Sequence, residues 1–185
     1  MAQWVETLYQ PVEQNILTIA KQIKLLICDV DGVFSDGLIY MGNDGEELKT
    51  FHTRDGYGVK SLMNAGIEIA IITGRQSQIV ENRMKALGVS LIYQGQDDKV
   101  QAYQDICDKL NISPDQTGYI GDDLIDWPVM EKVALKVCVA DGHPLLRKRA
   151  NYVTAIKGGH GAVREVCDLI LQARDELDVH KGLSI

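Results

Sequence analysis

The chain has 185 residues, 45% of them apolar and 24% charged, enough for one domain (residues 1–185) with a substantial core. Its formal net charge of −7 argues against a nucleic-acid-binding face, which is normally basic. No apolar run approaches the roughly 20 residues needed to span a bilayer, so neither nucleic acid nor a membrane is an expected partner.

The opening "MAQWVETLYQPVEQNILTIAKQIK" carries Glu6 and Glu13 and lacks the basic start and unbroken apolar core of a signal peptide. Val12, Ile16, Ile19, Ala20 and Ile23 recur at helical spacing and predict an amphipathic helix over about 11–23. "IKLLICDV" follows, apolar on both faces, as a central strand of a parallel sheet must be. "LIYM" and "ELKTF" around Gly42-Asn43-Asp44-Gly45 predict a β-hairpin inserted over about 35–54. Further strands are expected in "GIEIAIITGR", "VSLIYQG", "TGYIGDD", "VALKVCVAD" and "ANYVTA". They alternate with helices at 57–65, 76–87, 99–110, 124–132, 144–149 and 162–176. This alternation predicts an α/β fold, a Rossmann-like, mostly parallel sheet with helices on both faces. A short tail remains at about 178–185.

Cys28, Cys107, Cys138 and Cys167 form no CxxC pair, and three of them sit in apolar stretches. The expectation is buried thiols in a reducing cytoplasm. His143 and His160 show no metal-ligand spacing. "KGGHGAVRE" lacks the GxxxxGK[ST] pattern of a phosphate loop and reads as flexible backbone for packing or subunit contact.

In open α/β sheets, ligands sit at the carboxyl ends of the strands, at a topological switch point. The first strand delivers Asp29 and Asp31 there, and the second Thr73 and Arg75. Lys99 opens the helix after the third. The fourth delivers Asp122 and Asp123, with Asp126 one turn on. Carboxylates this close repel one another unless one stays protonated or a cation intervenes. Magnesium prefers oxygen ligands and usually takes one or two carboxylates together with substrate phosphate. Thr73 and Lys99 suit the equatorial oxygens of a phosphoryl group under attack by a carboxylate.

With these residues in view, the sequence resembles the haloacid-dehalogenase-like phosphatases. "DVDGV", "ITG", Lys99 and "GDDLID" match the four motifs of that family in order, over about residues 24–170. The resemblance implies Asp29 as nucleophile and Asp31 as general acid and then base, with its main-chain carbonyl on the metal. It implies phosphate binding by Thr73 and Lys99, metal ligation by Asp29, Asp31 and Asp122, and support from Asp123 or Asp126. Magnesium is the implied cofactor. Neither insertion point has room for a cap domain.

The stretch from "DVDGVFSDGLIYMGNDGEELKTFHTRDG" to "ITGRQS", with "GYIGDDLIDWPVM" and "KGGHGAVREVCDLIL", is also similar to phosphatases of an eight-carbon sugar acid, 3-deoxy-D-manno-octulosonate 8-phosphate, in lipopolysaccharide synthesis. That closer resemblance implies a homotetramer in which hairpins associate and a neighbour completes each site. It also implies substrate contacts from His52, Thr53, Arg54, Asp55, Gly56, Lys60, Arg75, Arg83 and Lys99. The C-terminal "DVHKGLSI", short, polar and Gly-containing, is expected to fold over a neighbour's active site. A nine-carbon sialic-type 9-phosphate is an alternative substrate. A non-catalytic oligomerisation module is an alternative of another class, disfavoured because every catalytic position is filled.

Overall fold

A computed structural model describes residues 3–179. The chain opens with two short strands, β1 (Trp4–Val5) and β2 (Val12–Glu13), paired antiparallel ahead of α1 (Gln14–Gln22). Then come β3 (Leu25–Cys28), the hairpin β4 (Tyr40–Met41) and β5 (Glu47–Leu48), and α2 (Thr53–Asn64). The next units are β6 (Glu68–Ile72) with α3 (Gln78–Leu87) and β7 (Leu91–Tyr93) with α4 (Lys99–Leu110). β8 (Thr117–Gly121) leads through a 3₁₀ turn, Leu124–Asp126, into α5 (Trp127–Met130). β9 (Leu135–Cys138), α6 (Pro144–Arg149), β10 (Tyr152–Val153) and α7 (Ala162–Ala173) complete the fold.

The main sheet has the order β10-β9-β8-β3-β6-β7, and every neighbouring pair is parallel. The chain builds outward from β3 through β6 and β7, then returns to lay β8 on the other flank of β3. The β3–β8 crevice is therefore the switch point.

Strand β3 shows why its residues are all apolar. Leu26 and Cys28 belong to a core layer with α1, α2, α3 and α7, whereas Leu25 and Ile27 belong to a second layer with α4, α5 and α6. All four are fully buried, and each such aliphatic side chain contributes about 1.5–3 kcal/mol by leaving water. In β6, Ile69 and Ile71 alternate with Ala70 and Ile72 in the same way.

The α/β architecture and the absence of a cap agree with the sequence reading. Only the hairpin separates β3 from α2, and only the short loop through Thr73 separates β6 from α3. Boundaries differ at three places. The N-terminal helix starts at Gln14, because Val12 and Glu13 pair with Val5 and Trp4. The second helix starts at Thr53 instead of 57, because the His52 side chain accepts a hydrogen bond from Arg54 N (3.1 Å) and caps it. The region expected to be helical over 124–132 divides into the 3₁₀ turn and α5. Most of the tail at about 178–185 lies outside the described residues.

"KGGHG" packs tightly on the loop after β3. Gly159 N donates to Val33 O (2.8 Å), and a Cβ on Gly158 would collide with the Gly32 carbonyl. The glycines thus permit backbone-to-backbone contact, in keeping with the packing reading of this stretch.

Candidate active site

At the carboxyl end of β3, a cleft of about 210 Å³ is lined by Asp29, Asp31, Thr73, Gly74, Arg75, Lys99 and Ile125. A larger groove of about 340 Å³ lies beside Trp4 and Tyr152. Convergent chemistry, not size, singles out the smaller cleft.

Asp29 extends the β3 ladder by one residue, its N donating to Ile120 O (3.0 Å). Its Oδ1 accepts from Val30 N (2.7 Å), and its Oδ2 lies 2.9 Å from Lys99 Nζ. Burial and the charge of Asp126 raise the Asp29 pKa, and Lys99 opposes the rise. Asp122, at the end of β8, is pushed up to about 8 by burial and by repulsion from Asp126 and Asp29. Asp29, Asp122 and Asp126 each offer an oxygen, all within 4.8 Å of one another. Gly32, at φ +82°, brings the loop so close that a Cβ there would strike the Asp122 carboxylate.

Asp126 is fully buried and its oxygens are already occupied. Oδ1 accepts from Lys99 Nζ (2.8 Å) and Tyr119 OH (2.7 Å), and Oδ2 from Asp122 N (3.0 Å) and Asp123 N (3.2 Å). It holds Lys99 and the Asp122 loop in place and leaves Asp29 and Asp122 with free lone pairs. Burial lowers the Lys99 pKa, but Asp126 and Asp29 more than offset this, so the net shift is upward and the ammonium is retained. Asp98 caps α4 through Val100 N (3.0 Å) and fixes Lys99 in the first turn.

Hard oxygen donors whose repulsion raises two pKa values fit a small divalent cation. Asp31 turns elsewhere: its carboxylate pairs with Lys49 from the hairpin. Asp123 is exposed and caps the 3₁₀ turn through Leu124 N (2.7 Å), whereas Asp126 contacts Lys99.

The haloacid dehalogenase-like hydrolase family profile matches residues 91–166. A curated Escherichia coli K12 protein named 3-deoxy-D-manno-octulosonate 8-phosphate phosphatase is 59% identical over 179 residues, covering 97% of this chain and 95% of that one. The chain belongs to this phosphatase family. A Yersinia pestis crystal structure named for the same phosphatase has a TM-score of 0.98 and 57% identity, with all of both chains covered. A Moraxella catarrhalis phosphatase of this name, in complex with magnesium ion, phosphate ion and a KDO molecule, has a TM-score of 0.87 and 45% identity, covering 89% of this chain and 94% of that one.

Against the pattern expected of an octulosonate-phosphate phosphatase, the structure brings Asp29, Asp31, Thr73, Arg75 and Lys99 into one cleft, with Asp122 and Asp126 beside it. Thr73 is held by its own backbone, its N donating to Tyr93 O (3.0 Å) and its O accepting from Gln96 N (3.1 Å). His52, Thr53, Arg54 and Lys60 do not line this cleft. His52 caps α2, Thr53 and Arg54 are on its first turn, and Lys60 faces a separate groove with Met63, Asn64 and Leu87.

Asp55 and Gly56 depart from the expected substrate contact. Asp55 is 1% exposed and its Oδ1 accepts from Arg164 N (2.8 Å), tying α2 to α7. Gly56 is buried, with the Arg83 guanidinium lying over it. Glu47, Lys49 and Tyr119 were missed. The alternation of "ELKTF" places Glu47 and Lys49 on one side of a strand, the one signal that could have found them.

Proposed function

We propose that this protein is a magnesium-dependent phosphatase that hydrolyses 3-deoxy-D-manno-octulosonate 8-phosphate to the free sugar acid and phosphate in lipopolysaccharide synthesis. One observation carries the reading. In a chain 59% identical to a curated phosphatase of that name, Asp29, Asp122 and Lys99 converge at the switch point of the sheet.

The Asp29 and Asp122 carboxylates and the Asp31 carbonyl would hold magnesium. When bound, it removes the carboxylate repulsion and stabilises charge on the phosphoryl oxygens. A carboxylate oxygen of Asp29 attacks phosphorus, the bond from phosphorus to the sugar oxygen breaks, and that oxygen takes a proton from Asp31. Asp31, now a carboxylate, takes a proton from water as the water oxygen attacks the aspartyl-phosphate. The bond to Asp29 breaks and phosphate leaves. Thr73 and Lys99 hold the transferring group, and Asp126 with Tyr119 keeps Lys99 in position. Arg75 at the cleft edge supplies a cation for the sugar-acid carboxylate.

The rest of the substrate pocket belongs, in this proposal, to a homotetramer. The hairpin region exposes Leu38, Ile39, Tyr40, Met41 and Leu48, an apolar patch suited to a second copy. His52, Thr53, Arg54, Lys60 and Arg83 are then placed to serve a neighbouring site. Light scattering of the wild type and of Met41→Glu tests this: a tetramer weakened by the substitution is expected, and a monomeric wild type contradicts it. No helix among the described residues is long and apolar enough to cross a membrane, and all four cysteines are free. Both facts suit the proposed cytoplasmic site of action.

Phosphate release from a panel of sugar phosphates, with magnesium and with chelator, tests the proposal. Preferred, magnesium-dependent release from the octulosonate ester is expected. Preference for a nine-carbon sugar-acid 9-phosphate would retain the mechanism and change the substrate. No release from any ester would leave the non-catalytic reading.

A further inference from the structure

The cleft is bordered by a chain of alternating charges, two of which, Lys49 and Glu47, the reaction as described does not use. Asp31 pairs with Lys49. Lys49 Nζ lies 3.1 Å from Glu47 Oε1, and Glu47 Oε2 accepts a hydrogen bond from Arg75 (3.0 Å). Glu47 Oε1 is buried and receives no hydrogen bond, so the directed bond from Lys49 goes to Asp31. The Lys49 side chain is only 1% exposed and does not line the cleft. An ammonium so placed has Asp31 and Glu47 as its partners. Its burial is tolerable because two carboxylates face it.

We infer that Lys49 is a positioning residue for Asp31: it binds the carboxyl through Oδ1 and leaves Oδ2 to carry the proton to the departing sugar oxygen. The hairpin explains why this residue is well placed. Along a strand, alternate side chains face opposite sides. Glu47 and Lys49 face inward towards Asp31, while Leu48 between them is 66% exposed on the outer, apolar face. Packing of the outer face against another copy would fix the inner face on Asp31. Assembly would thus be coupled to proton delivery without any neighbouring side chain touching Asp31.

The inference rests on the proposed phosphatase activity, and leaving-group chemistry separates the two. An alkyl ester such as the octulosonate 8-phosphate needs a proton on its departing oxygen. p-Nitrophenyl phosphate does not, because its phenolate is stable. The second-order constant kcat/KM reports only the steps through formation of aspartyl-phosphate, so the later role of Asp31 as base does not enter.

In Lys49→Met, kcat/KM for octulosonate 8-phosphate is expected to fall about 100-fold, while that for p-nitrophenyl phosphate stays within about threefold. Because Lys49→Met leaves Asp31 and Glu47 facing each other unpaired, the double variant Lys49→Met/Glu47→Gln is measured beside it. This variant keeps the local charge balance and is expected to show the same selective loss. Equal losses on both esters, or no loss on either, would overturn the inference. A wild-type enzyme that cleaves p-nitrophenyl phosphate but not the octulosonate ester would refute the substrate assignment instead. The comparison would then be run on the alkyl phosphate it does cleave.

Discussion

Asp126→Asn is the sharpest test of how the site is held together. The fully buried Asp126 carboxylate accepts from four donors, two on each oxygen: Lys99 and Tyr119 on one, the main-chain nitrogens of Asp122 and Asp123 on the other. An amide has the same shape but only one acceptor atom. Whichever way it turns, its NH₂ faces a pair of donors and two hydrogen bonds to a charged acceptor are lost. At roughly 1.5–3 kcal/mol each, the loss is about 3–6 kcal/mol. That overlaps the roughly 3–5 kcal/mol typical of removing one partner from a buried ion pair. For a chain of this length, the melting temperature should fall on the order of 10 °C. Urea unfolding followed by circular dichroism, in chelator so that metal binding does not contribute, gives the free energy directly. The midpoint should move while the denaturant slope stays constant. A loss below about 1 kcal/mol would refute the idea that Asp126 carries the network, since two charged hydrogen bonds cannot be lost so cheaply.

Other expectations follow from the same physics. Burial pushes the Asp55 carboxyl from 3.8 up to about 7, against the opposing influence of the Arg164 amide and the charges of Arg164, Arg83 and His160. Its native state therefore holds a proton that the unfolded chain releases. The stability this contributes is complete below about pH 4, declines as pH rises towards 7 and is gone above it. Asp55→Asn should remove a pH-dependent difference on the order of 4 kcal/mol between those limits, and a variant whose unfolding free energy varies with pH as the wild type's does would contradict this. Magnesium at about a hundredfold its dissociation constant should stabilise the wild type by about 2.7 kcal/mol. Asp122→Ala should lose that gain in calorimetry, and an undiminished shift would remove Asp122 from the metal site. Gly158→Ala, which drives a Cβ into the Gly32 carbonyl, should cost about 1–3 kcal/mol or more and lower activity. A neutral result would mean that the two loops separate readily.

Much of the fold was legible because its strands are buried on both faces. β3 and β6 read as unbroken apolar runs for the reason that each faces two helical layers. The two-residue strands β1 and β2 are too short to leave a periodic signature. The site motifs were legible because charged residues at the end of a buried run have few structural explanations. The supporting residues were not. Tyr119, inside an apolar strand, looks like ordinary core, and its hydroxyl becomes meaningful only when Asp126 folds back beneath it. Glu47 and Lys49 look like the solvated charges of any hairpin until the arm lies over Asp31. Asp55 and Gly56 follow a loop-like stretch, but the His52 cap winds them into α2 and turns them towards α7 and Arg83. A pattern one residue wide cannot reveal which face such a turn buries.

The central claim is that the carboxylate ending β3 attacks phosphorus. The most direct measurement is kcat/KM for octulosonate 8-phosphate, with saturating magnesium, in the wild type and in Asp29→Asn, with folding of the variant checked by circular dichroism. The account predicts a folded variant whose phosphate release falls to the limit of detection, because an amide neither attacks phosphorus nor forms the acyl-phosphate. A folded variant within about tenfold of wild type would contradict it, since the loss of a covalent nucleophile costs far more than that.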